Sequence, residues 1–325
     1  MIIYVARRLA QALLVVFAMT LIVFLGVNVI GSPVDILISP DCNQACYQAS
    51  LKALGLDLPL HQQYLVFLKN AVTGDLGKSF AIGVPALPLI VERMPATLEL
   101  ALSAMFLAIV IGIPLGMWAG LKPDSVAGKT IMGGSILGFS LPTFWVGLML
   151  IMVFAVYLGV LPSTGRGETV QVFGVRLSIL TLDGLAHLIL PAVNLALYKI
   201  SLVIRLTRAG VRETITQDYV KFARARGLKA RRVILVHVLK NIMIPVVTVV
   251  GLELGNVIAF SVVSETIFSW PGMGKLLIDS LRLLDRPVVV AYLMITVLMF
   301  VVINLIVDVL YTALDPRIRL QGAAI

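Results

Sequence analysis

The sequence offers few groups that could carry out covalent chemistry. Its three histidines, His61, His187 and His237, lie far apart, and none forms a believable constellation with serine and carboxylate partners. The run Ala127-Gly128-Lys129-Thr130 resembles the end of a phosphate-binding loop, but Pro123 stands where the first glycine of that loop belongs. It also links two apolar runs instead of joining a strand to a helix, so it does not bind nucleotide. Cys42 and Cys46 are the only cysteines. Their spacing permits a disulfide without requiring one, and with only His61 and acids nearby a metal site has a poor donor set. We expect no catalytic residue, no cofactor and no metal in this chain.

What remains is charge in places that need a reason. Glu253 lies near the middle of an apolar run, between Gly251 and Gly255, where an unpaired carboxylate is costly. It must face protein or a water-filled path, and with Asn256 it forms a candidate pathway pair; a structural ion pair or a protonated acid accounts for it as well. Lys199 either lines the same path or finds a carboxylate, whereas Asp308 and Arg205 read as structural. The densest charge is in Tyr219–Pro245, between two apolar runs. There Tyr219, Phe222 and Ala223 recur at i, i+3 and i+4 and give one face of a short helix, with Lys221 and Arg224 pointing elsewhere. Asp218 can cap its start, Arg224 and Arg226 suit its last turn, and Gly227 can supply a left-handed stop. Such a helix can dock a soluble partner through Tyr219, Phe222, Ala223, Arg224, Ala225, Arg226 and Gly227; the alternative is a basic segment held by anionic lipid.

The elements that position these groups are membrane helices. With 59% hydrophobic and 13% charged residues, 325 residues do not make an ordinary soluble domain. We expect an all-α polytopic membrane protein with spans near Leu9–Ile30, Leu98–Leu121, Ile131–Leu158, His187–Leu206, Ile242–Val263 and Val288–Leu310. The first is a retained helix, not a cleaved signal peptide. Six spans put both termini on one side, and placing that side in the cytoplasm collects sixteen of the 26 basic residues, including ten between Arg205 and Lys240. The net charge of +9 therefore follows from topology, and no nucleic-acid partner is implied. The chain divides into a first helix (1–30), an external insertion (31–97), a membrane core (98–313) containing the cytoplasmic loop 209–241, and a cytoplasmic tail (314–325). Gly112, Gly116 and Gly120, like Gly251 and Gly255, form rows that let helices approach closely, within the chain or against a second subunit. In Phe268–Lys275, Trp270 suits a membrane interface, while Pro271, Gly272 and Gly274 enforce a turn.

Ala223-Arg-Ala-Arg-Gly227, followed by His237, Asn241 and Pro245, resembles the coupling loop of ABC importer permeases of the dipeptide/oligopeptide type. The general importer motif has Glu where this chain has Lys221 and Pro where it has Lys240, so the match is to the peptide-type variant. Leu54–Pro59, Gly74–Gly77, Arg93–Glu99, Leu141–Trp145, Asp183–Pro191, Glu265–Lys275 and Asp308–Arg319 extend the similarity over nearly the whole chain. The resemblance implies a type I ABC importer fold and a bacterial-type inner-membrane location. It implies as partners a second permease, two cytoplasmic ATPase subunits holding ATP and Mg, an external substrate-binding protein and membrane lipid. It makes Phe268, Trp270, Pro271 and Gly272 an outer gate. Members of that family commonly carry Gln where this chain has Glu253, and their cargoes also include nickel chelates, glutathione and oligosaccharides. The rivals are an ion-gradient-driven transporter, which six spans with one basic loop do little to suggest, and an intramembrane enzyme, which lacks paired catalytic groups.

Overall fold

The computed structural model describes residues 2–29, 44–53 and 57–314. The described chain is mainly helical: α1 (Ile2–Val29), α2 (Gln44–Ala53), α3 (Leu60–Val72), α4 (Ala86–Leu121), α5 (Val126–Ser140), α6 (Thr143–Tyr157), α7 (Leu182–Thr214), α8 (Asp218–Ala225), α9 (Ala230–Ile267), α10 (Met273–Arg282) and α11 (Arg286–Leu314). The strands β1 (Val170–Val172) and β2 (Val175–Leu177) pair antiparallel, with Val172 opposite Val175. Phe173 and Gly174 both have positive φ, as a two-residue hairpin turn of this hand requires.

Four helices, α4, α7, α9 and α11, are long and apolar enough to cross a membrane. A fifth crossing arises if α5 and α6 are taken together, but they meet at a bend of 106°. The apolar run at 131–158, expected as one span, is therefore broken. The cause is local: Pro142 disfavours the helical region for the residue before it, and Leu141 is extended at φ −76° and ψ 133°. Helix α1 carries the apolar stretch Ala10–Gly26. At the other boundary of the insertion, α4 runs unbroken through Thr97, so residues 97 and 98 sit within one helix.

Packing divides the chain into two compact units. The first comprises Met1–Met94 and Leu276–Val301. Within it Tyr64 and Phe67 of α3 pack on Phe17 and Phe24 of α1, and the Tyr64 hydroxyl shares a hydrogen bond with Thr20 at 2.8 Å. Asp285, buried, accepts from Ser79 and from the Phe80 amide at 3.0 Å, which ties the 77–86 loop to the start of α11.

The second unit, Pro95–Lys275 with Val302–Ile325, holds the candidate sites. In it α4 and α7 approach closely. A Cβ at Gly112, Gly116 or Gly120 would come within 2.7, 2.6 and 2.7 Å of Val203, Thr207 and Val211, which repeat on α7 with the same four-residue spacing. That glycine row is thus spent on an internal helix contact, the close approach that apolar surroundings reward through packing. Gly251 meets Val307 of α11 in the same way, at 2.8 Å.

Candidate functional site

Three arrangements in the second unit could serve function. The first is the short helix α8 in the basic loop. Gln217 occupies its N-cap position without a side-chain cap, and Asp218 is the first helical residue, paired with Lys221 in the open. Asp218 is therefore not the cap expected from the sequence. Gly227 follows the helix at φ +76°, and a Cβ placed there would have nothing within 4 Å, so backbone conformation alone selects glycine. The apolar residues split between two faces. Val220 and Ala223 are buried with Met117, Val211, Val233, Val238 and Ile242, anchoring α8 to the chain's own core. Tyr219 and Phe222 remain 44% and 60% exposed. Ala223 thus does not share an exposed face with them; it holds the helix from behind. Arg226 lies over the Phe222 ring at 4.8 Å, adding a cation to the free aromatic face.

The second is a cavity of about 340 Å³ between α6, α7 and α9, bordered by Thr143, Tyr198, Lys199, Glu253, Asn256 and Phe260. Here two charges from the apolar runs meet: the Lys199 ammonium donates to the Glu253 carboxylate, and Asn256 Nδ2 donates to the same group at 3.3 Å. Lys199 also lies 5.0 Å from the Tyr198 ring centre, and Tyr198 stacks on Phe139 at 4.7 Å. Of the roles the sequence left open, the carboxylate has found an ion pair, and that pair lines a cavity.

The third is a buried polar node. Glu265, fully buried, accepts from Thr97 Oγ1 at 2.7 Å, Ser261 Oγ at 3.0 Å and the Lys275 amide at 2.9 Å. Thr97 in turn accepts from the Met273 amide at 2.8 Å, and Trp270 Nε1 donates to the Ala96 carbonyl at 2.9 Å. The segments Arg93–Glu99 and Glu265–Lys275, far apart in sequence, are thereby stitched together. Two residues after Thr97 on α4, Glu99 takes the Arg166 guanidinium at 2.7 Å and the Ser178 and Ile179 amides at 2.8 and 2.7 Å. This fixes the loop around the hairpin. Trp270 and Phe268 are both buried, so Trp270 is not the interface residue its type suggested; its indole is satisfied inside the protein. Sequence reasoning named the Glu265 segment but passed over the acid, whose signal was a carboxylate at the end of an apolar run.

Among the described residues no group of three His, Cys, Asp or Glu could hold a metal ion. Cys46 is exposed on α2, while Cys42 lies outside the described residues, as does the basic tail with Arg317 and Arg319.

The likeness to known proteins runs the length of the chain. The family model for the binding-protein-dependent transport system inner membrane component matches residues 112–320, and its N-terminal companion matches residues 1–101. The dipeptide transport system permease protein DppB of Escherichia coli (strain K12) is 39% identical over 338 residues, 97% of this chain and 98% of that protein. The oligopeptide transport system permease protein AppB of Bacillus subtilis (strain 168) is 38% identical over 318 residues, covering 97% and 99%. The glutathione transport system permease protein GsiC of Escherichia coli (strain K12) is 36% identical over 317 residues, covering 97% and 98%. Among solved structures, the inward-facing MetNI methionine ABC transporter superposes with a TM-score of 0.54 at 16% identity, over 70% of this chain and 96% of that one, a likeness of fold. Apolar helices, a basic loop carrying an anchored short helix, and family models spanning both halves agree: the chain belongs to the binding-protein-dependent transport system inner membrane components, as a multi-pass permease of the bacterial inner membrane.

Proposed function

We propose that this permease forms half of the translocation pathway of an ATP-driven importer of dipeptides or oligopeptides. The observation that carries the reading is full-length similarity to peptide permeases, at 39% and 38% identity. In the working complex a second, homologous permease completes the pathway, two cytoplasmic ATPase subunits bind ATP and Mg, and an external binding protein delivers cargo. Helix α8 is the coupling element. Its Val220 and Ala223 face is fixed to the permease core, and its Tyr219, Phe222 and Arg226 face enters a cleft on the ATPase. Closure of the ATPases on ATP then moves the membrane helices through α8 and exchanges inward for outward access. The Phe268–Gly272 turn, clamped to Ala96 and Thr97, acts as the fixed part of the outer gate.

This reading places six spans in the membrane, with α1 and the α5–α6 pair each counting as one and both termini in the cytoplasm. Cysteines placed singly at positions 129 and 229, in a chain lacking Cys42 and Cys46, are expected to resist an impermeant thiol reagent in intact spheroplasts. Positions 44 and 166 are expected to react. Labelling of position 229 from outside would reverse the topology and remove the coupling role. The function itself is tested by purifying the chain with its partners and reconstituting it. ATPase subunits should co-purify and peptide uptake should require ATP, whereas uptake indifferent to ATP and collapsed by an uncoupler would overturn the proposal.

A further inference from the structure

Three carboxylates of the second unit, Glu99, Glu253 and Glu265, fall into two kinds. Glu265 and Glu99 are sealed and saturated: each is almost inaccessible and accepts three or more hydrogen bonds from fixed donors. Glu253 is neither. Its side chain keeps 23% of its surface open, its partners are the buried Lys199 ammonium and an Asn256 amide at 3.3 Å, and the pair borders a cavity of about 340 Å³. That volume lies toward the small end of ligand pockets. Taking an ion pair out of water is repaid only when the remaining lone pairs are also hydrogen-bonded, and beside Lys199 the Glu253 carboxylate has only Asn256, at 3.3 Å.

From this contrast we infer that Lys199 and Glu253, with Asn256, form a recognition subsite for a zwitterionic cargo segment, the free amino and carboxylate ends of a short peptide. The inference rests on the peptide-importer reading and deepens it. In the structure the two charges satisfy each other. Cargo exchanges partners: its ammonium binds the Glu253 carboxylate and the Asn256 carbonyl oxygen, and its carboxylate binds the Lys199 ammonium. The exchange is charge-neutral, so no charge is left unpaired. A cargo with one end blocked frees one protein charge without replacing its partner, and an uncompensated charge in a poorly hydrated site is costly. Phe260 and Leu195 supply apolar surface for the cargo side chains. The subsite therefore selects for the presence of both ends, while its apolar walls are tolerant of side-chain identity.

The test uses the assembled importer without its binding protein, so that the binding protein's own preference does not enter. Equilibrium dialysis measures labelled dialanine, N-acetyl-dialanine and dialanine amide on wild type, Lys199→Met, Glu253→Gln and the double variant. Wild type is expected to bind dialanine about tenfold or more tightly than either blocked form, the scale of one charge-assisted hydrogen bond. Glu253→Gln should erase the distinction between dialanine and its acetylated form, and Lys199→Met the distinction between dialanine and its amide. Because a single variant leaves its partner unpaired and can weaken assembly, the double variant is decisive. It carries neither charge and should assemble while binding all three ligands alike. Wild type that binds the three alike, shows no saturable binding, or a double variant that keeps the preference would each overturn the subsite. Failure of the complete wild-type importer to take up any peptide would instead sink the importer reading, whatever the ranking in dialysis.

Discussion

Gly272→Ala is expected to destabilise the permease severely, whereas Gly133→Ala is expected to leave it intact. A Cβ at Gly272 would collide with the whole Glu265 carboxyl group, while one at Gly133 meets nothing within 4 Å. Glu265 has no room to retreat, since Thr97, Ser261 and the Lys275 amide hold it from separate directions in a fully buried position. Overpacking a rigid core costs about 1–3 kcal/mol, and each buried donor that loses its acceptor adds about 1–3 kcal/mol. Displacing the carboxylate would also loosen the link between Thr97 and Met273, and with it the seat of Trp270. The measurement is the melting temperature of the purified complex together with its yield from membranes. Equal behaviour of the two alanine variants would show that the node yields, and the account of Phe268–Gly272 as a fixed element would fall with it. Glu265→Gln gives a finer check, because it keeps the volume but turns an acceptor into a donor facing other donors; a smaller but clear loss of stability is expected.

Much of the membrane architecture could be derived from the sequence because its causes are local. Long apolar runs at α4, α7, α9 and α11 have no other reading in water. A left-handed Gly227 after a short helix is likewise a matter of a few adjacent residues. The losses occur where two explanations share one pattern. In α8, Tyr219 with Phe222 and Val220 with Ala223 both satisfy i, i+3 spacing, so periodicity does not say which pair turns inward. Only the cluster formed by Met117, Val211, Val238 and Ile242, contributed by three other segments, decides for Val220 and Ala223. The break at Leu141 was hidden for the opposite reason: hydropathy averaged over the run is high on both sides of Pro142, and a window that sees only apolarity does not see a bend. Trp270 was misplaced because its type favours interfaces, while its carbonyl partner at Ala96 lies 174 residues away. Glu253 and Lys199 could be recognised singly as costly, but their pairing is a fact of helix packing between α7 and α9.

If α8 couples as proposed, its division into two faces leads to an expected separation of phenotypes in the basic loop. Phe222→Ala removes an exposed aromatic without touching the permease core. It should leave insertion and pairing with the second permease unchanged while weakening retention of the ATPase subunits about tenfold or more, as loss of an aromatic anchor does at an interface. Ala223→Asp acts elsewhere. It pushes a carboxylate among Met117, Val211, Val220 and Val238, where a charge without a partner costs several kcal/mol. The expected result is loss of the folded permease itself, seen as low yield before any partner is added. Gly227 distinguishes geometry from contact, because a side chain there meets open space and suffers only from the backbone at φ +76°. Gly227→Asn, which tolerates the left-handed region, should keep most stimulated ATP hydrolysis and uptake; Gly227→Val, β-branched, should lose both while the membrane subunits still assemble. Reconstitution with partners, scoring subunit retention, binding-protein-stimulated hydrolysis and uptake, reads all four variants on the same scale. Normal stimulated hydrolysis and uptake in both Phe222→Ala and Gly227→Val would remove α8 from the coupling path. The basic loop would then be left to lipid contact, for which its charge suffices and its aromatic face is unnecessary.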